Sequence, residues 1–419
     1  MLVKILIVNA YVRENKGDAA LIAVIAKQLQ NIFPKATIAI SGMENSKKYP
    51  DFYGFKNLSS LQRYAVGIGA SLPLRIMHLC IIGIIGAIWP VLPFRTSFTT
   101  LLPSEIQEEL SAIEEADMIV SASGGYLSGG NSLFENFHIY FDVLPLRLAE
   151  RLGKMVMMAP GSFGPFGNDW QRTMVRKTLN AARLVFVREH KSYDLLKGIG
   201  VQEDRMVQTV DSGFAHEGPL FKHTSETRDK IYVGITARNW LTGEKQKKYE
   251  SALARFIINI EKQYGAESIL IPQVTSGYNT DDDRIVEKRI KDLAVQGGAH
   301  PVQVIDEIDH NEIKKIYSQC TFVVGTRLHS VIFSLTSYVP SIAIEYEHKT
   351  SGIMHDLNLN DWVIKIEDVT TEKLNELFAR LVAEQKSYRK HLTMVLPPYI
   401  ARTNEVPRLI KQVYEKRIG

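Results

Sequence analysis

Short apolar runs separated by longer amphipathic segments recur along almost the whole chain, and this alternation restricts its fold more than any other feature. Lys4–Val8, Met118–Ser121, Met155–Met158 and Leu184–Val187 are only four or five residues long. Runs this short, apolar at successive positions, suit strands buried on both faces of a parallel sheet. Thr37–Ile40 and Met206–Val210 extend the set. Between them Ala19–Phe33, Ser104–Glu115, Phe134–Leu152 and Trp170–Ala182 carry apolar residues at helical spacing. Strand, helix and strand in alternation predict helices packed around mostly parallel sheets.

The periodicity lapses through Ser212–Asp229, a polar stretch containing glycine, proline and histidine. It resumes with the strand Tyr232–Thr236, a helix to about Tyr264 and the strand Ser268–Ile271. A helix over Asp282–Ala294, a strand near Val302–Val304 and a helix over Asn311–Ser318 follow. Thr321–Val324 and Ser341–Ile344 are the last strands. A chain of 419 residues exceeds one ordinary core, so two domains are expected. Residues 1–215 form an N-terminal α/β domain and 230–395 a C-terminal one. The amphipathic segment 396–419 is a helix packing back on the first. The predicted architecture is bilobal, two similar α/β halves facing a central cleft.

Composition narrows the function classes. Hydrophobic content of 45% and charged content of 23% are ordinary for a globular protein. The net charge is only +4, without a long Lys/Arg run or zinc-finger spacing, which argues against nucleic acid as a partner. Cys80 and Cys320 lie far apart in apolar surroundings, as in a reducing cytosol. No secretory leader is readable ahead of the first strand.

Residues 76–94, between Arg75 and Arg95, contain one clearly polar side chain, His78. Length alone permits a membrane span. Gly83, Gly86, Pro90 and Pro93 weaken a continuous helix. A span would also separate the first two strands from the rest of their sheet. The expectation is a hydrophobic insertion in the first domain, over about 64–95, forming a helix or hairpin that dips into a bilayer surface. Arg63, Arg75, Arg95 and Trp89 would assist it. A buried core helix or an oligomer contact is the alternative.

Candidate chemistry collects where strands end. After Thr321–Val324 the chain reads Gly325-Thr326-Arg327-Leu328-His329-Ser330, with Val331, Ile332, Leu335 and Tyr338 at helical spacing behind it. Arg327 and His329 therefore sit at a strand's carboxyl end and a helix's amino end, where α/β sheets bind ligands and backbone N–H groups favour anions. Arg327 offers a planar fork for carboxylate or phosphate, and His329 can exchange a proton near neutral pH. Arg238 holds the equivalent position after Tyr232–Thr236, so the two arginines could share a doubly charged anion. Lys349 follows Ser341–Ile344, as an anion ligand or a solvated charge.

In the first half Asn15-Lys16-Gly17-Asp18 opens a helix, with Gly17 permitting a tight turn and Asp18 capping a helix that begins at Ala19. Gly124 and Gly125 lie in a small-residue loop whose bare N–H groups could approach a ligand. That loop has neither the phosphate-loop nor the dinucleotide spacing. Arg188 and Glu189 end another strand as an ion pair or a ligand pair. Asp281-Asp282-Asp283 reads as a solvated helix start. There is no convincing metal-ligand spacing and no serine nucleophile elbow.

Taken together, Asn15-x-Gly17-Asp18, Gly124-Gly125, Val187-Arg188-Glu189 with Ser192, Asp211, Arg327-Leu328-His329, Val339-Pro340 and Tyr346-x-x-Lys349 resemble the polysaccharide pyruvyl transferase family. The resemblance spans roughly residues 3 to 360. It implies a glycosyltransferase-B type fold of two Rossmann-like domains. The implied activity is transfer of a pyruvyl group from phosphoenolpyruvate to sugar hydroxyls of a cell-surface polysaccharide or its lipid-linked precursor, forming a ketal. No metal and no cofactor beyond this co-substrate is expected. On this reading Arg238 and Arg327, with Leu328, Lys349, Arg188, Gly17, Gly124 and Gly125, line the substrates. His329 is the acid, and Asp18 or Glu189 the base. The location expected is cytoplasmic, peripheral at the inner face of the membrane. A nucleotide-sugar glycosyltransferase of the same fold and a non-catalytic assembly scaffold are the rival readings.

Overall fold

The computed structural model describes residues 2–217, 230–276, 281–304 and 306–418. They divide into two compact units. The first comprises Met1–Val12, Leu21–Ser212 and Arg402–Gly419, and the second Arg13–Ala20 and Gly213–Ala401.

The first unit is built on eight strands: β1 (Lys4–Ala10), β2 (Thr37–Gly42), β3 (Asp51–Phe52), β4 (Phe55–Ser59), β5 (Met118–Ser121), β6 (Met155–Gly161), β7 (Leu184–Val187) and β8 (Met206–Gln208). They lie in the order β3-β4-β2-β1-β5-β6-β7-β8. Every neighbouring pair is parallel except the short β3–β4 hairpin at one edge. The central strands β5, β6 and β7 are buried at every residue, which is why they read as continuous apolar runs. The associated helices are α1 (Lys16–Ile32), α2 (Leu61–Val66), α3 (Leu72–Ile88), α4 (Arg95–Thr99), α5 (Ser104–Glu115), α6 (Leu133–Arg151), α7 (Asp169–Ala181) and α8 (His190–Gly198). The hairpin escapes sequence reading because its strands are too short for an alternation to repeat.

Among its described residues the second unit has six strands: β9 (Tyr232–Thr236), β10 (Glu267–Leu270), β11 (Val302–Gln303), β12 (Phe322–Gly325), β13 (Ser341–Glu345) and β14 (Val363–Lys365). All are parallel, in the order β11-β10-β9-β12-β13-β14. Its helices are α9 (Gly243–Tyr264), α10 (Asp283–Gln296), α11 (His310–Gln319), α12 (Leu328–Thr336), α13 (His348–Asp356) and α14 (Thr371–Ala401). A final helix, α15 (Glu405–Ile418), belongs to the first unit. There Tyr414 meets Phe33 edge to face, and Arg417 donates to the carbonyl of Gly153.

The apolar segment is mostly one helix. α3 runs unbroken through Gly83 and Gly86 and passes into a 3-10 turn at Trp89–Val91, where Pro90 removes the donor the helix would need next. By length and composition Leu72–Val91 could cross a membrane. Ile82, Ile85 and Trp89 nevertheless belong to the buried core of the first unit, and the Trp89 indole donates to Thr99 Oγ1 at 2.8 Å. Gly86 lets Tyr140 and Leu144 of α6 pack against the helix backbone. The remaining faces expose Leu72, Ile76, Met77 and Ile84.

Candidate active site

The second unit gathers the arginines at the carboxyl edge of its sheet. β9 and β12 are adjacent and parallel, so Arg238 and the Arg327 turn follow neighbouring strand ends. The turn after β12 is fixed from within. Thr236 Oγ1 accepts from the Thr326 amide at 2.8 Å, and Tyr249 and Thr326 share a 2.8 Å hydroxyl contact. Ser330 Oγ donates back to the Arg327 carbonyl at 2.5 Å. Arg327 occupies the N-cap position of α12, Leu328 is buried as its first residue, and His329 is part-buried in the first turn beside Phe333.

Arg327 is buried and paired with carboxylates. Its Nε lies 3.1 Å and its Nη2 2.6 Å from Asp283 oxygens, a two-nitrogen fork on one carboxylate. Nη2 also donates to Asp281 Oδ1 at 2.6 Å. Burial opposes the Arg327 charge, but the Asp283 carboxylate outweighs it and raises the pKa, so the guanidinium stays charged. The acidic run at 281–283 is therefore not a solvated helix start. Asp283 is buried under Arg327, and Asp282 is a buried N-cap accepting from the Arg284 amide. Only Asp281, with 40% of its side chain exposed, faces outward. The sequence displays the acids but not their partner, which lies 44 residues away.

Asp281 Oδ1 also receives Arg238 Nη2 at 3.3 Å, so two arginines converge on one carboxylate oxygen. The Arg238 guanidinium lies 4.2 Å from the Tyr346 ring centre and 4.8 Å from that of Trp240. Aromatic faces hold it flat without neutralising it. Lys349, at the start of α13, pairs with Glu347 at 2.7 Å. Glu287 lies one turn beyond Asp283 on α10. Burial, reinforced by the Asp283 charge, holds its carboxyl well above the usual range.

Arg13–Ala20 groups with this unit. The Lys16 amide donates to the Gln273 carbonyl at 3.0 Å, Asn15 bridges Val274, and Lys16 Nζ reaches Thr275 Oγ1 at 3.2 Å. α1 begins at Lys16, not Ala19, and the capping residue is Asn15 rather than Asp18. Asn15 Oδ1 accepts from the Asp18 amide at 3.3 Å, while the Asp18 carboxylate accepts from Asn15 Nδ2 at 2.6 Å. The Asn15 side chain thus caps the helix, and the Asp18 carboxylate holds that side chain in place. Gly17 serves a close approach and not a tight turn. A Cβ there would lie 2.0 Å from Nδ1 and 2.5 Å from Cγ of His329. The Asn15–Asp18 turn and the Arg-Leu-His turn thus meet at Gly17 and His329. Nearby, His216 and His310 are buried 3.3 Å apart, and burial lowers their pKa values to about 3 and about 4 respectively. Both are neutral at pH 7.

Gly124, Gly125, Arg188 and Glu189 lie in the first unit. Arg188 is buried, bonding Asp211 at 2.5 Å and Ser162 Oγ at 2.7 Å. Glu189 accepts from Ser162 Oγ at 2.7 Å and from Ser192 Oγ. The Ser162 amide in turn donates to the Gly124 carbonyl, so Arg188 braces the Gly124 loop through Ser162. Gly124 adopts φ 146°, a conformation open to glycine.

One further pair in this unit escaped the sequence reading. His138 Nδ1 on α6 stands 2.8 Å from Asp142 Oδ2, one turn on; the imidazole is 42% exposed and the carboxylate buried. The i,i+4 spacing was the available signal. Among the described residues no cluster of three or more His, Cys, Asp or Glu side chains is placed to hold a metal ion.

Two α/β units built on mostly parallel sheets are the architecture of the glycosyltransferase-B class. Solved structures agree on the fold. UDP-GlcNAc 2-epimerase from Neisseria meningitidis superposes with a TM-score of 0.60 at 13% identity, covering 98% of this chain and 99% of that one. A glycosyltransferase from Rickettsia africae gives 0.55 at 13% identity, over 99% of both chains. The chain belongs to the polysaccharide pyruvyl transferase family, whose pattern matches residues 15–348. The amylovoran biosynthesis protein AmsJ of Erwinia amylovora is 24% identical over 283 residues, 64% of this chain. That match spans 66% of AmsJ, just under two thirds of its length.

Proposed function

We propose that the protein transfers the pyruvyl group of phosphoenolpyruvate to two hydroxyls of a saccharide, forming a ketal without a metal or further cofactor. The observation that carries this reading is the convergence of Arg238 and Arg327 on one carboxylate oxygen, at 3.3 and 2.6 Å. Phosphoenolpyruvate presents a carboxylate and a phosphate, and two fixed guanidiniums suit both. His329 gives a proton to the methylene carbon, which makes the neighbouring carbon electrophilic. A sugar hydroxyl adds there, phosphate leaves towards fixed positive charge, and a second hydroxyl closes the ketal.

The acceptor we propose is lipid-linked and met by peripheral binding at the inner face of the membrane. Exposed apolar side chains on α3 and Phe94, 79% exposed, supply the insertion surface. No aspartate or glutamate lies between Asp51 and Glu105, while Arg63, Arg75 and Arg95 do, a balance suited to anionic headgroups. The core packing of Ile82, Ile85 and Trp89 favours docking over spanning.

The test is phosphate release from phosphoenolpyruvate in the presence of membrane-extracted glycan lipid. His329→Ala should abolish turnover and retain phosphoenolpyruvate binding. Saturable binding of a nucleotide sugar with no binding of phosphoenolpyruvate would overturn the reading.

A further inference from the structure

The turn between α6 and β6 in the first unit collects cations that bond neutral acceptors rather than acids. Arg151 Nη1 donates to the Gly86 carbonyl of α3 at 3.2 Å, Lys154 Nζ to the Glu114 carbonyl at 2.6 Å, and Arg417 Nη2 to the Gly153 carbonyl at 2.7 Å. Arg147, one turn before Arg151, places Nη1 against the Met174 sulfur, a weak acceptor. A neutral acceptor orients such a donor and leaves its charge in place. Burial lowers the Lys154 pKa; Asp117 and Glu114 oppose that, while the nearby charges of Arg95 and Arg417 add to it. Positive charge is therefore concentrated at this edge of the unit.

Beside these cations a cavity of about 200 Å³ opens between α6 and α7. Leu146, Arg147 and Glu150 line it from α6, Lys177 and Thr178 from α7, and Val156 from β6. Leu146 and Val156 are buried and give it an apolar wall, while Lys177 and Glu150 are exposed at its rim. Arg147 continues the stripe of Tyr140 and Leu144, which meet α3 at Gly86, so the cavity adjoins the end of that helix. That end exposes Ile84, Ile88, Val91 and Phe94.

We propose that this cavity binds the phosphodiester of an anionic phospholipid, with Arg147 and Lys177 on its oxygens, while the exposed end of α3 enters the bilayer beside it. The place of the site against a bilayer rests on the docking reading of α3; the binding of the headgroup does not.

A phosphodiester spreads one negative charge over two oxygens, which suits a guanidinium fork and an ammonium together. A lipid also brings apolar carbon with its phosphate, and Leu146 and Val156 supply a wall for it. Glu150 sharpens the choice. Two cations against one acid leave room for a singly charged diester, whereas a doubly charged free phosphate meets the repulsion of that carboxylate. The C-terminal carbonyls of α6 account for the cation at Arg151, but Arg147 and Lys177 stand a turn inside their helices and line the cavity instead.

The experiment uses the full chain in two parts. First, dihexanoyl phosphatidylglycerol below its micellar concentration and inorganic phosphate are each titrated by calorimetry. The lipid should bind saturably and more tightly than phosphate. Binding should weaken about fivefold in Lys177→Gln, a change at an exposed position, and about 30-fold when Arg147→Gln is added. Phosphate binding as tight as the lipid's, no lipid binding, or undiminished binding in Lys177→Gln overturns the site. Second, flotation is measured on vesicles of phosphatidylcholine mixed equally with phosphatidylglycerol. The double variant should lose affinity by about 30-fold, while Lys245→Gln with Lys248→Gln, which removes the same charge from exposed positions on α9, leaves it unchanged. An equal loss in both overturns the site in favour of bulk charge. Wild-type flotation that the double variant keeps in full overturns the headgroup site and upholds docking by α3. Wild-type protein that binds the soluble lipid but floats on no vesicle refutes the docking reading and upholds the headgroup site.

Discussion

Replacing Gly17 by alanine tests whether the first turn of α1 holds the His329 ring in place. An alanine Cβ would stand 2.0, 2.5 and 2.9 Å from Nδ1, Cγ and Cβ of His329. Relaxed contacts between heavy atoms need about 3.5–4.0 Å, so the ring must move by roughly 1.5 Å. Neither backbone yields readily. α1 is tied down by the Lys16–Gln273 and Asn15–Val274 contacts, and the α12 turn by Thr236 and Ser330. The ring therefore swings out. Overpacking costs about 1–3 kcal/mol, and alanine returns roughly 1 kcal/mol of helix propensity. The net loss of stability is thus small. A displacement of about 1 Å at a reacting group costs roughly 100-fold in rate.

Gly17→Ala should therefore lower turnover by about two orders of magnitude while its melting temperature shifts by only a few degrees. A stability cycle with His329→Ala checks the contact independently of any substrate. Removing the imidazole should relieve the clash, leaving a coupling of about 1–2 kcal/mol between the two changes. Additive stabilities together with normal turnover in Gly17→Ala would refute the placement of His329.

Asp283→Asn leaves a buried Arg327 without its main partner and should cost about 3–5 kcal/mol, read from urea denaturation; a loss below 1 kcal/mol would contradict the buried pair. Glu109 accepts from Ser41 Oγ and the Leu61 amide inside the first unit, and burial pushes its pKa up to about 7. A carboxyl with a raised folded pKa stabilises most below its unfolded value near 4.5, and that contribution is lost as pH rises to about 7. The loss is about 3 kcal/mol, and Glu109→Gln should flatten this part of the stability profile. Exchanging the exposed Ile76 and Ile84 for glutamine should weaken flotation with anionic vesicles at unchanged melting temperature; undiminished flotation would remove α3 as the docking surface.

Much of the fold was legible because buried parallel strands announce themselves as short unbroken apolar runs. β5 and β7 occupy the residues their runs predict, and β1 and β6 extend two or three residues past theirs. The 31-residue helix α14 was not anticipated, and it runs on through Pro397 and Pro398 into the segment expected to be a separate helix from 396. At the site, local patterns located Arg327, His329 and Arg238 at strand ends. They could not show that Gly17 meets His329 across more than three hundred residues, or that Asp283 lies beneath Arg327. Aromatic partners such as Tyr346 under Arg238 have no sequence periodicity to betray them.

The acids around Arg327 do different work. Asp283 is buried and grips the guanidinium through two nitrogens, so it fixes direction and survives ligand exchange. Asp281 is half-exposed and shared between Arg327 and Arg238, so it is the group an entering anion must replace. Asp281 and Asp283 thus stand against the two guanidiniums before any ligand arrives. An incoming carboxylate therefore gains only the difference between its contacts and those of Asp281, not the full attraction of two cations. Under the proposed chemistry this suits turnover better than tight binding. On that proposal, charge developing on the departing phosphate would meet guanidiniums already held in place, and Asp281 would close behind the product.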